Sequence, residues 1–272
     1  MLKEYKLDGK VALVTGSGRG LGREIAFALA EAGADVIVTS RTKRELEQTA
    51  AGVRERSRRC LAVPVDVSRM DQITKLVEES LSHFKKIDIL VNNAGTGVFK
   101  ALIPTPGLEK LPIARIVPDI SKPLTDEEWN VTWDTNVRGV FNCIKTIVPG
   151  MIAGGKGKII NVVSTAATRY TPFQSIYPAT KAAVVAITRT LAMELARFNI
   201  NVNAIGPGMF ETVMLGKLLG DEDIRGRLVR TIPLRRFGRP REVGLLAVYL
   251  AAEASDYVTG QTLYIDGGYT VA

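Results

Sequence analysis

Seven short β-branched runs punctuate this chain: VALVT (11–15), DVIVTS (35–40), LAVPVDV (61–67), IDILVNN (87–93), KIINVVS (158–164), INVNAIG (200–206) and TLYID (262–266). Longer stretches such as GREIAFALAEAG and ITKLVEESLSHF separate them, with apolar residues at three- and four-residue intervals. That spacing is helical. The runs are apolar on both faces, as parallel strands covered by helices on both sides must be. Alternation and crossover geometry together predict an α/β doubly wound parallel sheet of about seven strands. No linker or compositional break interrupts the pattern, so residues 1–272 read as a single domain.

Two stretches depart from it. Residues 97–123 carry Pro104, Pro106, Pro112, Pro118 and Pro123 and cannot form one helix. Residues 209–240, rich in Gly, Leu and Arg, read as a helical lid.

Composition removes several kinds of chemistry. The only histidine, His83, lies in the polar run SHFKK and reads as a solvated helix-end residue. A HExxH site or a Cys/His zinc cluster cannot be built from it, and a Ser-His-Asp hydrolase would have to rest on it alone. No metal site is expected. Cys60 and Cys143 sit far apart in apolar contexts and read as buried free thiols. The formal charge of +8 is densest in RERSRR (54–59), which has no interleaved aromatics and reads as an exposed helix end. Anionic substrates or cofactors account for the charge without nucleic acid. No apolar stretch reaches the length of a membrane span, and the first residues lack a secretory h-region. A cytoplasmic protein without membrane attachment is expected.

TGSGRGLG, Thr15 to Gly22, follows the first strand and opens the first helix. Gly16, Gly20 and Gly22, with Ser17, Arg19 and Leu21 between them, would let the backbone turn tightly, approach a pyrophosphate and pack the helix on the sheet. The helix N-terminus adds partial positive charge. At the end of the second strand, where an acidic residue would accept from the 2′-hydroxyl of NAD, the chain reads Ser40-Arg41. A carboxylate that would repel a 2′-phosphate is absent from that strand end, and Arg41 and Arg19 can close on one. NADP(H) is therefore the expected cofactor.

Tyr177 and Lys181, in YPATK, lie four apart and share a helix face. Their spacing alone fits an ordinary surface pair. Other stretches accumulate beside it: DV at 66–67, NNAG at 92–95, Asn136 in DTNVRGVF, Ser164 in INVVS and IGPGMFET at 205–212. Over nearly the whole chain this pattern resembles the short-chain dehydrogenase/reductase family, whose sheet is of the Rossmann type. The stretches PLRRFGRPREVG and DGGY look much like its 3-oxoacyl carrier-protein reductases.

The resemblance implies a set of roles. Tyr177 would be the acid that protonates a substrate carbonyl oxygen during reduction. Lys181 would lower the phenol's pKa and hold the nicotinamide ribose, and Ser164 would bond the substrate oxygen. Asn136 would hold a water behind the lysine. Asp66 and Val67 would flank the adenine, and Asn93, Ala94 and Gly95 would lie beside the adenosine ribose. Pro207, Gly208 and Thr212 would position the carboxamide. YIDGGY (264–269) implies a homotetramer. The small-molecule substrate would be a carbonyl or alcohol: a 3-oxoacyl thioester, or alternatively a sugar, polyol or other secondary alcohol. A cofactor-binding regulator without catalysis is the third alternative, although it would need no acid-base relay. Residues 97–123 exceed the usual family segment by about fifteen residues, enough to wall a substrate pocket or extend a subunit contact.

Overall fold

The computed structural model describes residues 2–103, 105–110, 114, 117–211 and 220–272. Strands β1 (Val11–Thr15), β2 (Asp35–Ser40), β3 (Cys60–Pro64), β4 (Ile89–Asn92), β5 (Gly157–Val162), β6 (Ile200–Pro207) and β7 (Thr262–Ile265) form one seven-stranded sheet. Its order is β3-β2-β1-β4-β5-β6-β7, and every pair is parallel. The expected Rossmann-type sheet is what the chain forms.

Both sides of each strand are used. Ala12, Val14, Val36 and Val38 point to one face, where α1 (Gly20–Glu31) and α2 (Lys43–Glu55) cover them with Ile25, Leu29, Leu46 and Val53. Helix α8 (Pro240–Ala251) completes this layer with Val243 and Ala247. Val11, Leu13, Ile37 and Leu90 point to the other face, against α3 (Met70–Phe84), α5 (Gly139–Gly154) and α6 (Ile176–Leu195). Two-sided burial is the physical reason the strand sequences are continuously apolar.

Chain order reverses between β1 and β4. The loops leaving the carboxyl ends of these two strands diverge to opposite sides, which opens a crevice at the topological switch point. Helix α4 (Asp126–Trp133) starts with a capping box between Thr125 and Glu128 and runs through a π-helical turn, Asp134–Arg138, into α5. Asn136 lies in that turn.

The described part of 97–123 contains two short 3-10 turns, Leu108–Lys110 and Pro118–Ser121, and isolated parallel bridges from Lys100 to Gln174 and from Ala101 to Pro123, in place of a continuous helix. Ala101, Leu108 and Ile120 form a small separate cluster there, against which Phe173 packs. In the segment expected as a lid, Glu222–Arg230 is helical (α7).

Candidate active site

The glycine-rich turn is held from three sides. Ser17 is fully buried and its hydroxyl is committed to the turn, donating to the Val14 carbonyl at 2.9 Å and accepting from Thr39 N at 2.9 Å. Just past β4, Asn93 Nδ2 donates to the Thr15 and Gly16 carbonyls at 2.9 and 3.1 Å, while Asn93 N and Ala94 N both donate to Thr15 Oγ1 at 3.0 Å. A Cβ on Gly16 would lie 2.8 Å from Ala94 Cα. Leu21 packs on the core below the turn. Arg19 caps α1 through its extended backbone and leaves the first helical N–H groups without a side-chain partner. These groups face the crevice with the positive end of the helix dipole, a cradle suited to an anion.

At the carboxyl end of β2, Arg41 is exposed, and Ser40 Oγ is buried with no hydrogen-bond partner. An orphaned hydroxyl at a strand end that continues into an exposed arginine fits a phosphorylated ribose. A carboxylate nonetheless reaches this place from another element. Glu45, from the first turn of α2, pairs with Arg19 at 3.5 Å. The strand end itself carries no acid, and the helix after it supplies one through space.

Asp66 is engaged locally, its Oδ1 accepting from Ser68 N and Oγ at 3.0 and 2.7 Å. Val67 packs under Gly139, where a Cβ would come within 2.6 Å of Val67 Cγ2. Pro207 ends β6, and Gly208 N donates to the Ile265 carbonyl at 3.0 Å. A Cβ on Gly208 would lie 2.7 Å from Asp266 Cβ. Thr212 lies outside the described residues.

The remaining candidates converge. Asn136 is buried, its Oδ1 accepting from Thr96 N at 2.8 Å and its Nδ2 donating to the Thr96 carbonyl at 2.8 Å and Thr180 Oγ1 at 3.0 Å. Lys181 Nζ donates to the Val162 carbonyl at 2.9 Å and lies 5.6 Å from the centre of the Tyr177 ring. A Cβ on Gly95 would stand 3.4 Å from both Asn136 Oδ1 and Lys181 Nζ, so a side chain there would crowd both. Ser164, just past β5, accepts from Ala166 N at 3.1 Å. The amide, ammonium, phenol and hydroxyl therefore come from α4–α5, α6 and the end of β5.

Electrostatics differ from expectation at the phenol. Burial pushes Tyr177 above its ordinary value, and a hydrogen bond from Ser164 only partly offsets it. Burial also pulls Lys181 down to about 8. In the chain by itself, desolvation of the phenolate is the larger influence, and the hydrogen bond from Ser164 is what opposes it. Elsewhere, burial pushes both Cys60 and Cys143 up to about 12, so neither thiol is a nucleophile at neutral pH. Among the described residues no group of His, Cys, Asp and Glu could hold a metal ion, and no helix is long and apolar enough to cross a membrane. His83 is exposed at the end of α3, edge-on to Phe84.

Three residues beside the site carry no signal of their role in the sequence. Gly97 follows the NNAG stretch, and a Cβ there would meet the Tyr177 ring at 3.0 Å. Thr180, inside YPATK, bridges Asn136 to the Tyr177 carbonyl. Glu45 is unremarked locally, since a glutamate in a first helical turn is ordinary.

A family model described as Enoyl-(Acyl carrier protein) reductase matches residues 16–270. A 3-oxoacyl-[acyl-carrier-protein] reductase of Thermotoga maritima is 36% identical over 266 residues, covering 98% of this chain and 100% of that one. An NAD-dependent glycerol dehydrogenase of Listeria innocua is 37% identical over 269 residues, covering 99% and 97%. Among solved structures, a gluconate 5-dehydrogenase from Burkholderia cenocepacia, in complex with NADP and tartrate, superposes with a TM-score of 0.89. It is 34% identical, with 100% of this chain and 99% of that one covered.

Proposed function

Given that the chain belongs to the short-chain dehydrogenase/reductase family, we propose that it is an NADP(H)-dependent oxidoreductase acting on a carbonyl or secondary alcohol, foremost a 3-oxoacyl thioester or related ketone. The meeting of Asn136 and Lys181 at Gly95, with the Tyr177 ring centre 5.6 Å from the Lys181 ammonium, carries this reading. A regulator that only bound a dinucleotide would have no use for a buried ammonium beside a phenol.

The bound dinucleotide would supply or accept the hydride. The chain's own residues do the rest. Ser164 would hold the substrate oxygen, and Tyr177 would pass it the proton. Lys181, steadied by the Val162 carbonyl, would keep positive charge beside the phenolate as it forms. Asn136 is held rigidly enough by Thr96 and Thr180 to present its amide behind the lysine. The backbone of Gly16–Gly22 and the start of α1 would bind the pyrophosphate, with Asp66, Val67, Asn93 and Ala94 along the adenosine half. Pro207, Gly208 and Thr212 would take the nicotinamide half. Arg41, Arg19 and Ser40 would meet the 2′-phosphate.

A second reading, a sugar, polyol or other secondary-alcohol dehydrogenase, is favoured by the glycerol and gluconate relatives. The arginine-rich lid bears on the choice. Arg225 pairs with Glu211 and Arg236 with Glu242, so two of its cations are already neutralised. Arg227, Arg230 and Arg235 have no salt-bridge partner among the described residues and could receive an acidic carrier. Oxidation of NADPH and NADH against acetoacetyl thioesters, diketones, quinones and keto-sugars separates the readings. Turnover confined to keto-sugars would reject the thioester assignment.

NADPH is expected to bind more tightly than NADH, and Arg41→Ala to weaken NADPH about ten- to a hundredfold, the worth of a charge-assisted phosphate contact. Tighter binding of NADH to the parent chain would sink the cofactor assignment. The assembly would be a homotetramer, as the resemblance of YIDGGY to the family's last strand implies, and β7 does lie at an edge of the sheet. The protein would be cytoplasmic, with a single domain, a lid at 209–240, and no nucleic-acid or membrane partner.

Residues 97–123 would wall the substrate pocket. Lys100 N donates to the Phe173 carbonyl at 2.9 Å, and Lys100 Nζ pairs with Glu128 at 2.6 Å. The segment is thus tied to the loop before Tyr177 and to the helix leading to Asn136. Phe173 has φ of +66°, a conformation that glycine adopts more easily. Phe173→Gly would relieve the backbone while removing the apolar anchor. It is expected to raise KM for substrate about tenfold with NADPH affinity unchanged. An unchanged KM would make the segment a surface addition.

A further inference from the structure

Glu45 stands third in α2, where a glutamate can fold back to cap its own helix. No side-chain cap is made at this helix start. Glu45 turns instead toward the glycine-rich turn, with Oε1 at 3.5 Å from Arg19 Nη1. The same carboxylate borders Gly18: a Cβ there would lie 3.2 Å from Glu45 Oε2 and 2.7 Å from Ser40 Oγ. Absence of a side chain at Gly18 is what lets carboxylate and hydroxyl flank one point. The arrangement is anchored, because Thr49 Oγ1 donates to the Ser17 carbonyl at 3.0 Å and is held by Arg23 at 3.1 Å, fastening α2 to the turn.

A phosphate entering between Arg19, Arg41 and Ser40 would meet the Glu45 carboxylate at the same mouth. It would have to take Arg19 from Glu45 and tolerate a like charge within a few ångströms. An unphosphorylated ribose meets no such opposition, since its hydroxyls can donate to a carboxylate.

We propose that Glu45 is a specificity-determining residue that competes with the cofactor's 2′-phosphate for Arg19 and so restrains the preference for NADP(H) over NAD(H). This rests on the dinucleotide site assigned above, but not on which dinucleotide the chain prefers. Relatives that are NAD-dependent in one case and NADP-bound in another fit a site whose selectivity is set by a few opposed charges.

The test is calorimetric titration of the full chain and of Glu45→Gln and Glu45→Ala with NADPH and NADH, with melting temperature as the check on folding. Both variants should raise the ratio of NADPH to NADH affinity about tenfold, roughly 1.4 kcal/mol. A ratio that stays put in both, or falls, would overturn the proposal; a fall would mean that Glu45 supports Arg19 in the phosphate-binding pose. The parent ratio tests the NADP(H) reading separately. A chain that prefers NADH yet gains NADPH affinity in both variants would reject that reading and retain this one.

Discussion

Tyr177→Phe is expected to lower turnover about a thousandfold, the usual worth of a positioned general acid, while leaving NADPH affinity within about a factor of two. Only the hydroxyl is lost. The ring keeps its place against Gly97, and Lys181 keeps its bond to the Val162 carbonyl, so the rest of the site stands. Because burial raises the phenol above its ordinary value, the acid is loaded at neutral pH, as the reductive direction requires. Oxidation needs the phenolate and should gain as pH rises. Steady-state rates and a cofactor titration on the same preparation check the prediction. Turnover retained within tenfold would remove Tyr177 as the acid; binding lost together with turnover would show instead that the hydroxyl helps build the dinucleotide site.

What could be read from the sequence follows the range of the forces involved. The seven strands were legible because two-sided burial imposes a pattern within each run, and their ends fall within a few residues of the expected ones. The third strand, for example, stops at Pro64 instead of Val67. Gly16–Gly22 and the Tyr177/Lys181 pair were legible for the same reason, since each requirement is local. Glu45 was not, because its contact with Arg19 spans two elements and depends on where the first turn of α2 falls beside Gly18. The balance at Tyr177 was also hidden. Spacing places an ammonium nearby, but the cost of desolvation depends on what closes over the phenol from other segments. Along the chain Gly97 only opens the proline-rich insertion, and it takes the fold to reveal that it floors the tyrosine ring.

The glycine-rich turn offers a sharper test, because two of its glycines serve different needs. Gly20 has φ of +57°, and a Cβ there would find nothing within 4 Å, so alanine meets conformational strain of about 1–2 kcal/mol and no collision. Gly22 has no such φ, yet a Cβ would lie 2.3 Å from the Gly16 carbonyl oxygen and 2.4 Å from Asn93 Nδ2. Neither neighbour is the free end of a flexible chain, since Asn93 Nδ2 is bonded to the Thr15 and Gly16 carbonyls. Gly22→Ala must therefore push α1 away from the turn or break the Asn93 stitch, and both spoil the cradle of N–H groups. We expect dinucleotide affinity to fall at least about a hundredfold, with about 1–3 kcal/mol of stability lost to overpacking. Gly52→Ala separates these effects: its Cβ would meet the outer edge of the half-buried Phe27 ring at 2.7 Å, a softer collision on α2 and outside the turn. It should cost stability without costing affinity. Equal losses of affinity in the two variants would mean that binding follows global stability, and the close approach of helix and turn at Gly22 would then have no special part in holding the cofactor.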